Sequence, residues 1–133
     1  MSLLSANMKQ QAENQRIVIT GVGLVAPGAA NLTDFRANLL AGRSGISTID
    51  LRYMGVHPAG ICQFAETRYR KKRENSRGTR AGCIAVYCAN EALVDAGIDF
   101  STYDRAATGV YIGLTEHGTV ETENEVYNIG QYG

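Results

Sequence analysis

The chain has 133 residues, with 13 Lys+Arg against 13 Asp+Glu, 44% hydrophobic residues, 15 Gly, 3 Cys and no Trp; at that size it would hide about two-thirds of its unfolded surface and build one core, not several. Zero formal net charge leaves no positive excess to release counterions, which argues against nucleic acid as the default partner. Three cysteines cannot all pair within the chain and no basic-then-apolar segment opens it, so a reducing cytoplasm is the expected setting, and with no apolar run near the ~20 residues that cross a bilayer, no membrane partner is expected.

Residues 1–15 are polar and aperiodic and read as a disordered arm or tag outside the fold. From Ile17 to Ala26 the chain is apolar almost without interruption and then meets Pro27-Gly28. Continuous rather than alternating hydrophobicity predicts a strand covered on both faces, in a parallel or mixed sheet. Asn31-Leu32-Thr33-Asp34 supplies an N-cap with an acid three residues on, and Phe35 and Leu39 lie four apart before Gly42, which predicts a short amphipathic helix. Gly42-Arg43-Ser44-Gly45 reads as a turn, His57-Pro58 as turn-like, and Ala59 to Phe64 as a brief strand.

Seven of the thirteen basic residues fall between Arg68 and Arg80. This positive patch reads as a solvated face, with docking of an acidic partner as the competing reading. From Thr79, a cap, to Gly97, a stop, a longer helix is expected, and its first half is apolar nearly all round, as in a helix packed on several sides. Its small residues, Ala81, Gly82, Ala85, Ala89 and Ala92, allow neighbours to approach closely. Thr108 to Leu114 is a second candidate for a buried strand. Thr119 to Gly133 shows no cap and no clear period, and no helix or strand is assigned to it. The strands and the many-sided helix outnumber the partners available to cover them, so residues 16–133 read as the opening portion of a larger fold.

Gly21-Val22-Gly23 after the first apolar run suggests a dinucleotide site, yet the next glycine is Gly28, Pro27 intervenes, and no acid ends a second strand about 20 residues on. A structural turn is the preferred reading. Cys83 and Cys88, five apart on the helix, point to different faces with no His at zinc spacing, and core packing accounts for them as for Cys62. Of the two histidines, His117, beside Glu116 in a loop after an apolar run, is the better candidate for proton chemistry than His57.

Taken in order, Arg16-Ile17-Val18-Ile19-Thr20-Gly21-Val22-Gly23-Leu24-Val25-Ala26-Pro27, Leu39-Leu40-Ala41-Gly42-Arg43-Ser44-Gly45-Ile46, Ala59-Gly60 with Phe64, Asn90-Glu91-Ala92-Leu93-Val94-Asp95-Ala96-Gly97-Ile98 and Thr108-Gly109-Val110-Tyr111-Ile112-Gly113 resemble the N-terminal part of a β-ketoacyl synthase, the condensing enzyme of fatty-acid and polyketide assembly. The resemblance runs from about Arg16 to Gly118. It implies an α/β, thiolase-like fold, here its N-terminal portion only: a buried mixed sheet with a central buried helix, in a protein that is a homodimer at full length. It also implies decarboxylative condensation of an acyl thioester with a malonyl unit held on an acyl carrier protein, without a cofactor or a metal. In the family a helix-terminal cysteine takes the acyl group and two histidines assist. All three lie beyond the region this chain matches, so none of Cys62, Cys83, Cys88, His57 and His117 is assigned to catalysis, and the 133 residues alone are expected to be inactive. A non-catalytic partner subunit of the same fold, of the chain-length-factor kind, is the alternative.

Two departures from the family pattern stand out. Glu74-Asn75-Ser76-Arg77-Gly78-Thr79-Arg80 replaces a stretch resembling Arg-Met-Asp-Arg, and Glu116 falls where the family carries an apolar residue gating the acyl pocket. An ionised, unpaired carboxylate facing an acyl chain would cost several kcal/mol. Glu116 and His117 are therefore the candidate substrate-binding residues. Either the acyl group is short or polar, or Glu116 turns away or pairs with His117.

Overall fold

A computed structural model of the chain describes residues 17–71, 78–99, 101–102, 104–115 and 118–132. The elements are α1 (Leu32–Leu40), β1 (Ile46–Leu51), β2 (Gly55–Gly60), α2 (Arg80–Asp95), a short 3-10 turn (Arg105–Ala107) and α3 (Thr119–Tyr132).

Local chemistry starts and stops the first helix. Asn31 accepts a hydrogen bond from the Asp34 backbone N–H at 2.9 Å and donates to the Asp34 carboxylate at 2.7 Å, satisfying an orphan donor of the first turn. Gly42, at φ 63°, takes the left-handed conformation that ends it. A hairpin follows. β1 and β2 pair antiparallel with Ile46 opposite Gly60 and Leu51 opposite Gly55, and Gly55 (φ 74°) closes the Arg52-Tyr53-Met54 loop. The expected strand over Ala59 to Phe64 is thus displaced: strand β2 ends at Gly60, and beyond it only Cys62 forms a bridge, to Pro27. His57 and Pro58 sit inside β2 rather than in a turn. Proline is tolerated there because each strand of a two-stranded ribbon has an unpaired edge.

Helix α2 matches its sequence signals closely. The Thr79 hydroxyl accepts from Gly82 N–H at 3.2 Å, and Gly97 adopts φ 65° just past the end. Cys83, Tyr87 and Glu91 recur every four residues and so share one face, which lies against the 62–70 segment. On another side the backbone of residues 21–23 crosses the helix: a Cβ at Gly21 would lie 2.1 Å from Ala92 O, and one at Gly23 1.9 Å from Cys88 O. Only glycine permits that approach. These glycines are a seat on a helix, not a turn and not a phosphate cradle.

The buried mixed sheet is not seen among the described residues, where the one sheet is the two-stranded hairpin. Neither apolar run forms a ladder. Residues 17–25 have no strand partner, and Ile17 is fully exposed; residues 108–114 are likewise unpaired, with Tyr111 97% exposed. A strand is stabilised by backbone partners on its edges, and no described segment supplies them. Buried apolar side chains among the described residues are Ala29, Cys83 and Tyr87, so α2 is central but only partly covered. Helix α3, to which the sequence reading gave no structure, begins after Gly118 (φ 82°) and is tied down by tertiary contacts from Arg80 and Arg52. No described helix is long and apolar enough to cross a membrane.

Candidate functional site

Helix α2 organises the chemistry around it. On its Cys83–Tyr87–Glu91 face, Arg68 Nη1 reaches Glu91 Oε1 at 3.1 Å, the Tyr69 hydroxyl donates to the same oxygen, and the Arg68 guanidinium lies 5.3 Å from the Tyr69 ring centre. Below them Tyr87 meets Phe64 and Tyr69 at centroid distances of 5.0 and 5.7 Å, in tilted geometries that favour aromatic pairs. A hydrogen bond with Tyr87, then the Glu91 carboxylate, hold the Arg68 guanidinium above its ordinary pKa. The bond to Glu91, followed by burial, raises that of the Tyr69 hydroxyl. Every charged group here is answered by a neighbour. The cluster fastens the 62–70 segment to the helix and presents no poised nucleophile or base.

The helix N-terminus is a second junction. Arg80 N–H donates to Glu121 Oε1 at 2.7 Å, so an acid of α3 sits where the α2 dipole is positive. The Arg80 side chain donates to Glu66 at 2.7 Å and to the Cys62 carbonyl, with its guanidinium 5.6 Å from the Phe64 ring centre. Arg70 approaches the Cys83 sulfur at 3.9 Å. The basic patch is therefore not simply a solvated face: Arg68, Arg70 and Arg80 clamp the chain to itself. Lys72, Arg73 and Arg77 lie outside the described residues.

Glu116 and His117, the candidate substrate-binding pair, also lie outside the described residues. The next residue, Gly118, lines an open groove between the start of α2 and the start of α3, with Ala81, Ile84 and Val120 as its apolar lining and Arg80, Thr119, Glu121 and Asn124 as its polar one. Opposite the middle of α2, Ala85, Val86 and Ala89 face Val110 to Gly113 across a second open groove. His57 is accounted for locally, its Nε2 donating to Met54 O at 2.9 Å. All three cysteines are free. Burial pushes the Cys88 thiol above its ordinary pKa, the reverse of what activates a nucleophile. No group of three or more His, Cys, Asp or Glu able to hold a metal occurs among the described residues.

Sequence reasoning missed the Arg68–Tyr69–Glu91 cluster and the Glu121 contact. Its one available signal was Glu91, a charge continuing the buried Cys83–Tyr87 row, which called for a cation opposite.

The family model described as "Beta-ketoacyl synthase, N-terminal domain" matches residues 14–131. Among curated proteins the chain is 36% identical over 115 residues to the granaticin polyketide putative beta-ketoacyl synthase 1 of Streptomyces violaceoruber, covering 84% of this chain and 27% of that protein. It is 35% identical over 130 residues to the tetracenomycin polyketide synthase ketoacyl synthase alpha subunit of Streptomyces glaucescens, covering 95% and 30%. With 3-oxoacyl-[acyl-carrier-protein] synthase 2 of Staphylococcus aureus (strain COL) it shares 33% identity over 106 residues, covering 77% and 26%. The chain thus spans less than a third of the length of these relatives. No solved structure matches.

Proposed function

This chain belongs to the β-ketoacyl synthase family, and from that premise we propose that residues 16–133 are the N-terminal portion of a thiolase-like condensing enzyme. That enzyme joins an acyl thioester to a malonyl unit on an acyl carrier protein, losing carbon dioxide and forming a carbon–carbon bond, in fatty-acid or polyketide synthesis. It works in the cytoplasm, as a homodimer at full length. The observation that carries the reading is the family match along 14–131. The absence of a strand partner for either apolar run among the described residues agrees with it.

The chain's own cysteines do not suit the acyl-accepting role. Cys83 is buried under Arg70, and burial moves the Cys88 thiol above its ordinary pKa, away from the thiolate an acyl acceptor needs. The nucleophile and the two assisting histidines are therefore assigned to other parts of the enzyme, and the 133 residues alone are inactive. Glu116, at the position of an apolar gate in the family, selects for short or polar acyl groups unless it pairs with His117.

Incubation of the enzyme containing this sequence with an acyl thioester and malonyl-carrier protein, followed by intact-mass and peptide analysis, tests the reading. A 3-oxoacyl product, with an acyl adduct on a cysteine other than Cys62, Cys83 and Cys88, is expected. Absence of both, with product formed only when a second, cysteine-bearing subunit is added, would establish the non-catalytic partner instead. Turnover of long saturated acyl carriers equal to that of short ones would remove the role given to Glu116.

A further inference from the structure

Helix α3 is bolted to the rest of the chain rather than packed into it. Its described side chains are exposed except that of Glu121, which is half-buried. Between its start and the start of α2 runs the open groove, of about 580 Å³, in which Val120 stands across from Ala81 and Ile84; the apolar groups that could close this joint leave it unfilled. Two polar fastenings reach the helix from distant parts of the chain instead. At the first turn the Glu121 carboxylate accepts the Arg80 N–H at 2.7 Å. One turn on, Arg52, in the hairpin loop, donates to Asn124 Oδ1 at 3.1 Å, and its guanidinium lies 4.2 Å from the Tyr127 ring centre. The start of the helix is itself stiff, because the Gly118 carbonyl accepts from both the N–H and the hydroxyl of Thr122, at 2.9 and 2.8 Å. Gly118 sits at φ 82°, a conformation that glycine enters without steric cost, and is the pivot at which the chain can turn.

We propose that α3 is a hinged strap: it pivots at Gly118, is latched by Arg52, and releases from the hairpin and from α2 as one unit while α2 stays folded. A polar latch suits release, because exposed hydrogen bonds are exchanged for bonds to water at little net cost, whereas a buried apolar face resists separation. Arginine suits the latch. Asn124 and Tyr127 are three apart and so share a face of α3, and one planar guanidinium donates to the amide while covering the ring. Release of the strap parts Glu121 from the Arg80 N–H, so the groove and the N-terminus of α2 open together.

The test is hydrogen–deuterium exchange of the enzyme containing this sequence, read by mass spectrometry with electron-transfer fragmentation to isolate the Arg80 amide. The expected result is that the α3 amides exchange as a group, at least about tenfold faster than the Tyr87 to Glu91 amides of α2. R52A should raise exchange about tenfold further in α3 and at the Arg80 amide, which belongs to a different helix, and leave Tyr87 to Glu91 unchanged. R52K, which keeps a cation for the Tyr127 ring and a donor for Asn124, should return α3 to within about threefold of the parent rate. E121A, cutting the other fastening, should accelerate α3 to a similar degree. Exchange in α3 as slow as in Tyr87 to Glu91, an R52A variant indistinguishable from its parent, or one that accelerates α2 and α3 alike would overturn the proposal.

Discussion

Residues 21–29 and residues 108–114 are both apolar, both glycine-bearing and both adjacent to α2, yet they have opposite fates. The first is seated: Gly21 and Gly23 let its backbone touch that of the helix, Asp95 accepts the Val22 N–H at 2.9 Å, and Ala29 is 4% exposed. The second stands off across an open groove, with Val110 and Tyr111 almost wholly in water. Hydrophobicity announces that a segment needs cover, but contact is decided by whether backbone and side-chain shape allow approach. Gly21 and Gly23 remove the obstacle; Gly113 meets nothing within 4 Å.

The largest expected effect breaks this contrast at its aromatic residues. Tyr87→Ala removes a side chain that is 4% exposed and stacked on two rings, and should cost about 3–5 kcal/mol by analogy with other buried aromatic truncations. Tyr111→Ala, at 97% exposure, should change the stability of the 133-residue chain by less than about 0.5 kcal/mol. Denaturant unfolding of the two variants measures both. A Tyr111 cost comparable to that of Tyr87 would show that the 108–114 run is covered after all. In the full-length enzyme, where that run acquires neighbours under the proposed function, the two costs should converge.

A smaller effect sharpens the comparison at its glycines. Gly23→Ala places a methyl group 1.9 Å from the Cys88 carbonyl, a backbone atom that cannot step aside without moving the helix, and should destabilise by about 1–3 kcal/mol. Gly113→Ala enters open space and should be within about 0.5 kcal/mol of neutral. Equal midpoints for the two variants would dissolve the distinction between a seated and an unseated run.

The smallest effect concerns the clamp opposite the seat. Tyr69 has a raised pKa in the folded chain, through its bond to Glu91 and then burial. A raised folded value means that the associated stability is intact below the unfolded tyrosine pKa of about 10 and is lost as pH rises through the folded value. Glu91→Gln should therefore lower the Tyr69 titration midpoint seen by ultraviolet absorbance and flatten the alkaline loss of stability. An unmoved midpoint would show that the carboxylate does not govern this hydroxyl.

Legibility from sequence followed the range of the interactions involved. Both cap residues, Asn31 and Thr79, were readable because each bonds a backbone N–H three positions on. The stops at Gly42 and Gly97 were readable because left-handed backbone calls for glycine. The hairpin was not, since Pro58 argues locally against a strand and only the pairing with Thr48 makes one. Helix α3 escaped because its fastenings come from elsewhere: Glu121 is bound at Arg80, while Arg52 donates to Asn124 at 3.1 Å and lies 4.2 Å from the Tyr127 ring centre. The family was legible from motif order alone. The glycines of the first apolar run were read as a turn in preference to a phosphate loop, and that they seat the backbone against a helix could be read only in three dimensions.

The capping of α2 is divided between a near partner and a distant one. Thr79 satisfies Gly82 within a single turn, whereas the Arg80 N–H bonds to a carboxylate 41 residues further along the chain. On a ribosome, where the chain emerges from its N-terminus, α2 is synthesised whole before its second cap exists, and the Gly82 donor is answered long before the Arg80 one. Arrival of Glu121 closes a loop whose entropic cost must be met before the contact rewards it. The start of the central helix therefore becomes final only once α3 has been made, which sets an order of assembly.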